Sequence, residues 1–429
     1  MLRIIITIIT AVLLWPAMLH AFSSREDIAE KPARAGGHYF AYPEDEISPD
    51  YGTSPEGYEA FYLSHYGRHG SRFLSTEEGY TRIMRLLDRA AANKALTPEG
   101  RLLRAQLDTV YAEARGRAGE LSPLGKRQHR GIARRMATAY PGIIADSAYI
   151  TAVSTIVMRC AHSMFAFIEA LKELNPSLEI TTESSARNME YMNYSSPEST
   201  ELRTSRGPYR KPWKKFRKEK AFSPRLMAMI FSDEKYAADS VDALSFAEDL
   251  YYLAQDMQSV DCGVDLGRWL TPEETYGIWQ LYNFKFYARY SDYAPAKGAF
   301  TANAGPIVKD IVAKADSIIA AGRHGASLRF GHDINVMPLT ALMRIEGTYT
   351  DETDPARLAD KFANYRVVPM AANLQMMFFR PKDRKTGADD ILVLIFLNEK
   401  DARIPLPAVD GKYYRWPELR TYLLSLIEE

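Results

Sequence analysis

The chain has 429 residues, and its 54 Lys plus Arg balance 54 Asp plus Glu, so no formal net charge remains at pH 7. With 46% hydrophobic and 25% charged residues it has the composition of an ordinary globular protein, which excludes a disordered chain. No global field favours nucleic acid or an acidic partner, so anion binding has to be local.

Met1-Leu2-Arg3 is short and basic, Ile4 to Leu19 is apolar and uncharged, and His20-Ala21-Phe22-Ser23-Ser24 leads into Arg25-Glu26-Asp27. This is the layout of a signal peptide, with Ala21 as the last residue removed. The apolar run is short for a membrane span and Pro16 interrupts it, so residues 1–21 are expected to be cleaved and no stable membrane anchor is expected. Residues 25–55 are rich in Gly, Pro and charge and read as a leader strapped over the surface. A short strand follows at Ala60–Ser64 and ends at a Gly-containing loop. Ser75 with Glu78 has the spacing of a capping box, and Ile83, Leu86 and Leu87 continue with helical spacing. Thr97-Pro98 and Ser122-Pro123 each open a helix with Pro at its first position. Tyr149–Val153 reads as a second strand, and a long apolar helix spans about Met158 to Leu174. The chain between 186 and 325 is mostly helical around a basic loop. Ser327–Phe330 forms a third strand before a helix from about Val336. Leu374–Phe379 and Ile391–Leu397 read as two strands around a polar turn. Strands alternating with helices at both ends predict an α/β fold, with 186–325 as an inserted helical domain between core segments 22–185 and 326–429. Two cysteines, Cys160 and Cys262, exclude a disulfide-dense scaffold; pairing and free thiols stay equally open.

The sharpest chemical feature is Arg68-His69-Gly70-Ser71-Arg72 after the first strand. A phosphate dianion needs dense donors in fixed geometry, and two guanidinium forks supply them. Between them sits an imidazole that can attack phosphorus, at the strand end where α/β sheets bind ligands. The triplet recurs at Arg323-His324-Gly325, but before a strand and without a second Arg, so that copy reads as a turn. Gly331-His332-Asp333 ends the third strand. His332 offers a donor to a phosphate oxygen. Asp333 alone would read as a helix cap; beside the first motif it reads as a proton donor to a leaving alkoxide. Arg159 begins the helix after the second strand, with Ser163 on the same face, and supplies a third guanidinium. His65 fits a structural hydrogen bond as well as a catalytic role, and His38, His129 and His162 read as structural.

Together, Arg68 to Arg72, Arg159 in its Ser-Thr context, His332-Asp333, and Leu121-Ser122-Pro123-Leu124-Gly125 with Gln128-His129 resemble the histidine phosphatase superfamily. The likeness is to its second branch, which holds histidine acid phosphatases, phytases and multiple inositol polyphosphate phosphatases. The resemblance implies a three-layer α/β core with a mixed central sheet plus an inserted all-α domain. It implies that His69 becomes phosphorylated, that Arg68, Arg72, Arg159 and His332 hold the phosphoryl oxygens, and that Asp333 acts as acid and then base. It implies no metal and no cofactor, in keeping with eight His and no HExxH pattern. Acid phosphatases of this branch usually have Pro where this chain has Leu74, and many inositol polyphosphate phosphatases have His-Ala-Glu where it has His332-Asp333-Ile334.

The run Arg203 to Lys220 carries nine basic residues and one acid, interleaved with Tyr209, Trp213 and Phe216. It reads equally as a solvated loop or as an entrance for a polyanion lined by Arg210, Lys211, Lys214, Lys215 and Arg217. The expectation is an exported phosphomonoester hydrolase, periplasmic, cell-surface or secreted, that acts on a small anionic substrate and not on nucleic acid. Inositol polyphosphates such as phytate are the expected substrates, and broad-specificity acid phosphatase is the alternative. A phosphotransferase sharing the phosphohistidine and a binding protein with a dead pocket are the competing classes. Export weighs against the first, and the complete set of His69, Asp333 and the Arg residues against the second.

Overall fold

The computed structural model describes residues 23–428 apart from 49–50, 205, 222 and 383–386. The expected signal peptide, 1–21, lies outside the described residues. The core is one sheet of β1 (Tyr58–Arg68), β2 (Tyr149–Ser154), β3 (Ile180–Glu183), β4 (Gly325–Gly331), β5 (Asn373–Pro381), β6 (Leu392–Leu397), β7 (Lys400–Asp401) and β8 (Tyr414–Arg415). Their order is β3-β2-β4-β1-β5-β6-β7, with β8 also paired to β6. The four strands from β3 to β1 are parallel, and from β5 onward pairing is antiparallel, so the sheet is mixed.

Side-chain alternation on β1 divides the core into two faces. Leu63 packs with Leu328 and Phe330 beneath helices Pro123–Ala139 and Met158–Leu174. Tyr62 and Tyr66 pack on the other face beneath helices Gly305–Ala320, Asp333–Leu342 and Trp416–Ser425. A register shift between Ala60 and Tyr62 lets Phe61 join Tyr62 on that second face. A third apolar cluster is helical. Helices Glu78–Ala92 and Pro98–Ala114 pack there with Arg210–Lys220, Pro224–Ile230, Ala243–Asp256 and Pro272–Tyr290. This layer therefore draws on residues 78–114 as well as on the middle of the chain, while helix Gly305–Ala320 covers the sheet.

Three local readings differ from expectation. β1 runs on through His65-Tyr66-Gly67-Arg68, because pairing to β4 and β5 on both sides satisfies the backbone of this stretch inside the sheet. Residues 24–40 are no mere surface strap: Ala35, Gly36, Gly37, Tyr39 and Phe40 are buried. Gly37 sits at φ 58°, and a Cβ there would lie 2.8 Å from Asn364 Oδ1, so only Gly passes this point. The helix after the nucleophile loop has Glu77 at its N-cap with no side-chain capping bond there; Thr76 Oγ1, one residue earlier, accepts from Gly79 N, and the Ser75–Glu78 box does not form.

Register places the site. Arg68 on β1 lies opposite Gly331 on β4, and Ser154 on β2 opposite Phe330, so three parallel strands end at one level. Each is followed by one of the three motifs.

Candidate active site

Arg68 closes β1 and is fully buried. Its Nη1 donates to the carbonyls of His38 and Val368, and Nη2 lies 2.9 Å from Asp333 Oδ2. The chain then turns over His69, whose N–H donates to the carbonyl of Gly331. His69 Nδ1 is 2.9 Å from the carbonyl of Gly70. A carbonyl only accepts, so Nδ1 carries the proton and Nε2 keeps its lone pair. Burial, followed by the charges of Arg68, Arg159, Arg72 and His332, holds the His69 pKa well below 6.5. The imidazole is neutral, with the nucleophilic nitrogen free.

The loop is braced from two helices. Gly70 N donates to Ser163 Oγ at 3.1 Å, and Ser163 Oγ donates to the carbonyl of Arg159. Ser71 N donates to Gln128 Oε1, Gln128 Nε2 to Ser71 Oγ, and Ser122 N to the Ser71 carbonyl. This explains the Leu121–Gly125 and Gln128 pattern. Gly70 and Gly125 meet with no room for a side chain: a Cβ on Gly70 would lie 2.5 Å from the Gly125 carbonyl oxygen, and one on Gly125 2.3 Å from that of Ser71.

Arg72 Nη1 donates to the Phe73 carbonyl, and its guanidinium carbon lies 5.2 Å from the centre of the Tyr39 ring. Arg159 stands at the second position of its helix, Met158–Leu174. Arg68, Arg72 and Arg159 each keep Nε without a hydrogen-bond partner among the described residues. His332 Nε2 is 3.2 Å from Thr155 Oγ1, and its ring centroid is 5.7 Å from that of His69. Its pKa is lowered to about 4 by burial and by Arg159, despite Asp333. His332 holds the N-cap position of the next helix, and Asp333 is the first helical residue, with Oδ1 accepting from Ile334 N. Burial alone would raise the Asp333 pKa, but Arg68, His38 and Arg72 outweigh it and hold it at about 2. One carboxylate thus faces three guanidinium groups beside a neutral nucleophile, which is a site for a compact dianion.

The six central residues foreseen in the sequence, His69, Arg68, Arg72, Arg159, His332 and Asp333, come together. His324 does not; it lies at the opposite end of β4, where its carbonyl accepts from Tyr149 N. His65 faces away from the pocket, buried against Phe167 and Phe330. Of the basic run Arg203 to Lys220, the second part is a helix, Arg210–Lys220, and Arg203 ends the helix before it. Lys211, Lys214 and Lys215 are exposed, whereas Arg210 and Arg217 are half-buried, and Arg217 pairs with Glu248 at 2.6 Å. Both free cysteines are accounted for: Cys160 is buried, its Sγ 3.7 Å from His332 Nε2, and Cys262 is partly buried elsewhere.

Some residues around the pocket were not given a functional role from the sequence. His38 stacks on Phe286 with ring centroids 4.9 Å apart, and its pKa is lowered to about 3 by burial, with Asp333 opposing and Arg68, Arg72 and Lys285 adding. Lys285 lies 4.7 Å from the Trp213 ring centre, Arg289 5.3 Å from that of Tyr290, and Arg203 5.7 Å from that of Tyr290. Burial and then Arg289 lower the Lys285 pKa; Glu248 opposes, and Arg217 and Arg210 add to the lowering. Helix Pro272–Tyr290 therefore carries Lys285, whose charge acts on His38, and Arg289 beside it. Its alternation of aromatic and basic residues was the only available signal, and it reads as an ordinary buried helix. Among the described residues no group of His, Cys, Asp and Glu is placed to hold a metal ion, and no helix is long and apolar enough to cross a membrane.

Residues 67–398 match the family model of the histidine phosphatase superfamily, branch 2. No curated protein matches the sequence of the chain. Among solved structures, the multiple inositol polyphosphate phosphatase of Bifidobacterium longum in complex with inositol hexasulfate superposes with a TM-score of 0.78 at 18% identity, over 91% of this chain and 97% of that one. The phytase of D. castellii gives a TM-score of 0.62 at 13% identity, over 92% and 85%. The phytase of Citrobacter braakii gives 0.52 at 12% identity, over 86% and 98%. At these identities the structures speak for the shared fold.

Proposed function

The chain belongs to branch 2 of the histidine phosphatase superfamily, a family of phosphomonoesterases, and from that membership we propose that it is an exported hydrolase of inositol polyphosphates such as phytate, working through phosphohistidine at His69. The observation that carries this reading is the His69 imidazole, its Nδ1 proton committed to the Gly70 carbonyl and its Nε2 free among Arg68, Arg72 and Arg159.

In this reading Nε2 attacks phosphorus in line while the three guanidinium groups and His332 take up the charge of the equatorial oxygens. The P–O bond to the alcohol breaks, and protonated Asp333 delivers its proton to the leaving oxygen. The Asp333 carboxylate then takes a proton from water as that water attacks the phosphohistidine, which releases phosphate and restores neutral His69. The substrate class is supported by Lys285, Arg289, Arg203 and Arg210 beyond the pocket, where further phosphates of a polyanion would meet positive charge. It is supported too by the inositol hexasulfate held by the similar B. longum structure. Export rests on the signal-peptide pattern of residues 1–21 alone and is tested by amino-terminal sequencing of protein recovered outside the cytoplasm.

The deciding experiment measures phosphate release from phytate and from p-nitrophenyl phosphate, with acid-quench trapping of labelled enzyme. The expected result is phosphoryl label on His69, none in His69→Ala, and a kcat/KM that favours phytate. Label on another residue would overturn the mechanism. Equal kcat/KM for both substrates would make the protein a broad-specificity acid phosphatase.

A further inference from the structure

The nucleophile loop does not end at Arg72. Leu74 N donates to Tyr80 Oη at 2.8 Å, and Tyr80 Oη donates to Asp256 Oδ2 at 2.6 Å. This relay exists because residue 74 is Leu; a Pro there has no N–H to open it. Asp256 has no solvent exposure, and its Oδ1 is buried without a hydrogen-bond partner among the described residues. It is also the last residue of helix Ala243–Asp256, the end at which the helix dipole disfavours negative charge. Burial raises its pKa to about 7, against the hydrogen bond from Tyr80, the charge of Arg72 and the Leu74 backbone.

Among the described residues the cation that acts on this carboxyl is Arg72, on the loop after β1; Tyr80 faces it from helix Glu78–Ala92. Arg72 is in turn shared among Tyr39, Asp333 and Asp256. His69 and His332 are held below the imidazole range, and Asp333 at about 2. Asp256 is thus a buried carboxyl tied through Tyr80 to the nucleophile loop, with its pKa raised toward neutrality.

We propose that Asp256 is a positioning residue that competes with a bound phosphate for the charge of Arg72, so that anion binding in the pocket takes up a proton at Asp256. This rests on the reading of Arg72 as a phosphate ligand. When Asp256 is neutral, the whole charge of Arg72 is available to the phosphate. When it is ionised, the two anions share one guanidinium, and affinity falls. Binding therefore weakens as pH rises through the range of this carboxyl.

Sulfate is the probe, because its charge stays fixed across the range used. Calorimetric titration at about pH 7 in buffers of different ionisation enthalpy reads proton uptake directly, and titrations from about pH 6 to about pH 8.5 read affinity. The native chain should take up a fraction of a proton and lose roughly three- to tenfold in affinity over that range. Asp256→Asn should take up markedly less than the native chain and bind with a flatter profile over this range. Tyr80→Phe removes a hydrogen bond that favours the carboxylate, so its loss of affinity should move to higher pH. A flat native profile, or native uptake retained in Asp256→Asn, overturns the proposal. Should Asp256→Asn not fold, an unmoved profile in Tyr80→Phe overturns it instead. If sulfate binds with the pH dependence removed, only this inference falls; if sulfate does not bind at all, the phosphate-pocket reading falls with it.

Discussion

Arg68 Nη2 lies 2.9 Å from Asp333 Oδ2, so the residue that ends β1 and the one that opens the helix after β4 hold each other across a parallel strand pair. The contact ties the acidity of Asp333 to what occupies the pocket. In the free protein Asp333 is an anion above pH about 2. A bound phosphate dianion competes for Arg68 and adds a negative neighbour, and both effects raise the Asp333 pKa.

The first prediction follows from that sign. Proton donation needs the protonated form, so phosphorylation by an alkyl phosphate should slow as pH rises through the Asp333 pKa of the complex. That pKa should lie well above the free value of about 2. Single-turnover rates measured against pH read it, and Asp333→Asn should lack this limb. A native rate independent of pH would separate Asp333 from proton delivery.

Asp333→Asn should also discriminate between leaving groups. The loss should be about 10²–10⁴-fold in the first step for alkyl phosphates, whose alkoxide needs a proton, and much smaller for p-nitrophenyl phosphate. Dephosphorylation should slow as well, giving a burst of p-nitrophenol. Equal slowing on both substrates without a burst would send the search to another carboxylate.

Arg159 and Ser163 act at different depths. Arg159→Ala should lose roughly 10²–10³-fold in kcat/KM, the scale of one preorganised donor set. Ser163→Ala leaves the charges in place and frees Gly70 N, so it should cost about 1 kcal/mol of stability with a smaller kinetic effect. Wild-type turnover in Arg159→Ala would remove that residue from the pocket.

Gly125→Ala tests the brace. Its Cβ would lie 2.3 Å from the Ser71 carbonyl oxygen, and backbone cannot step aside as a flexible side chain would. Thermal unfolding should show a loss of about 1–3 kcal/mol, together with a fall in kcat, because the loop that moves carries His69. A stable, fully active variant would mean that the loop is free of this helix.

For the cations, position decides. Neutralising Lys285 and Arg289 should raise KM for phytate more than for p-nitrophenyl phosphate, and the difference should shrink with salt. Neutralising the exposed Lys211, Lys214 and Lys215 should change either KM little. Steady-state kinetics on both substrates distinguish the sets, and the reverse ranking would return the entrance to the outer face of helix Arg210–Lys220.

The parallel part of the sheet and the six central residues were legible because each motif sits directly after a strand, and the strands are recognisable from short β-branched and aromatic runs. Leu121–Gly125 with Gln128 was legible only as a resemblance; its physical reason, a helix start packed on the nucleophile loop, needs three dimensions. His38 and Tyr39 were missed because a stretch rich in Gly, Pro and charge reads as surface. Its burial depends on Asn364 and Trp279, far away in sequence and hydrogen-bonded to each other. Lys285 and Arg289 were missed for a related reason. Their helix is aromatic on most sides, so no amphipathic stripe marks the face that carries them. The basic run drew attention by density, yet one face of a helix points to solvent whatever its charge.

The two carbonyls that hold Arg68 Nη1 belong to residues 30 positions before it and 300 positions after it. No fragment that emerges early from the ribosome can contain both. Until the chain beyond Val368 is made, the guanidinium is left with half of its tether, and Asp333 has no fixed cation to meet. A chain that ends before Val368 therefore lacks one of the two carbonyl anchors of this guanidinium, even when β1 and His69 are already in place. Loop closure over such a separation is among the slower events of folding, so phosphatase activity reports completion of the whole molecule rather than of the domain that carries the nucleophile.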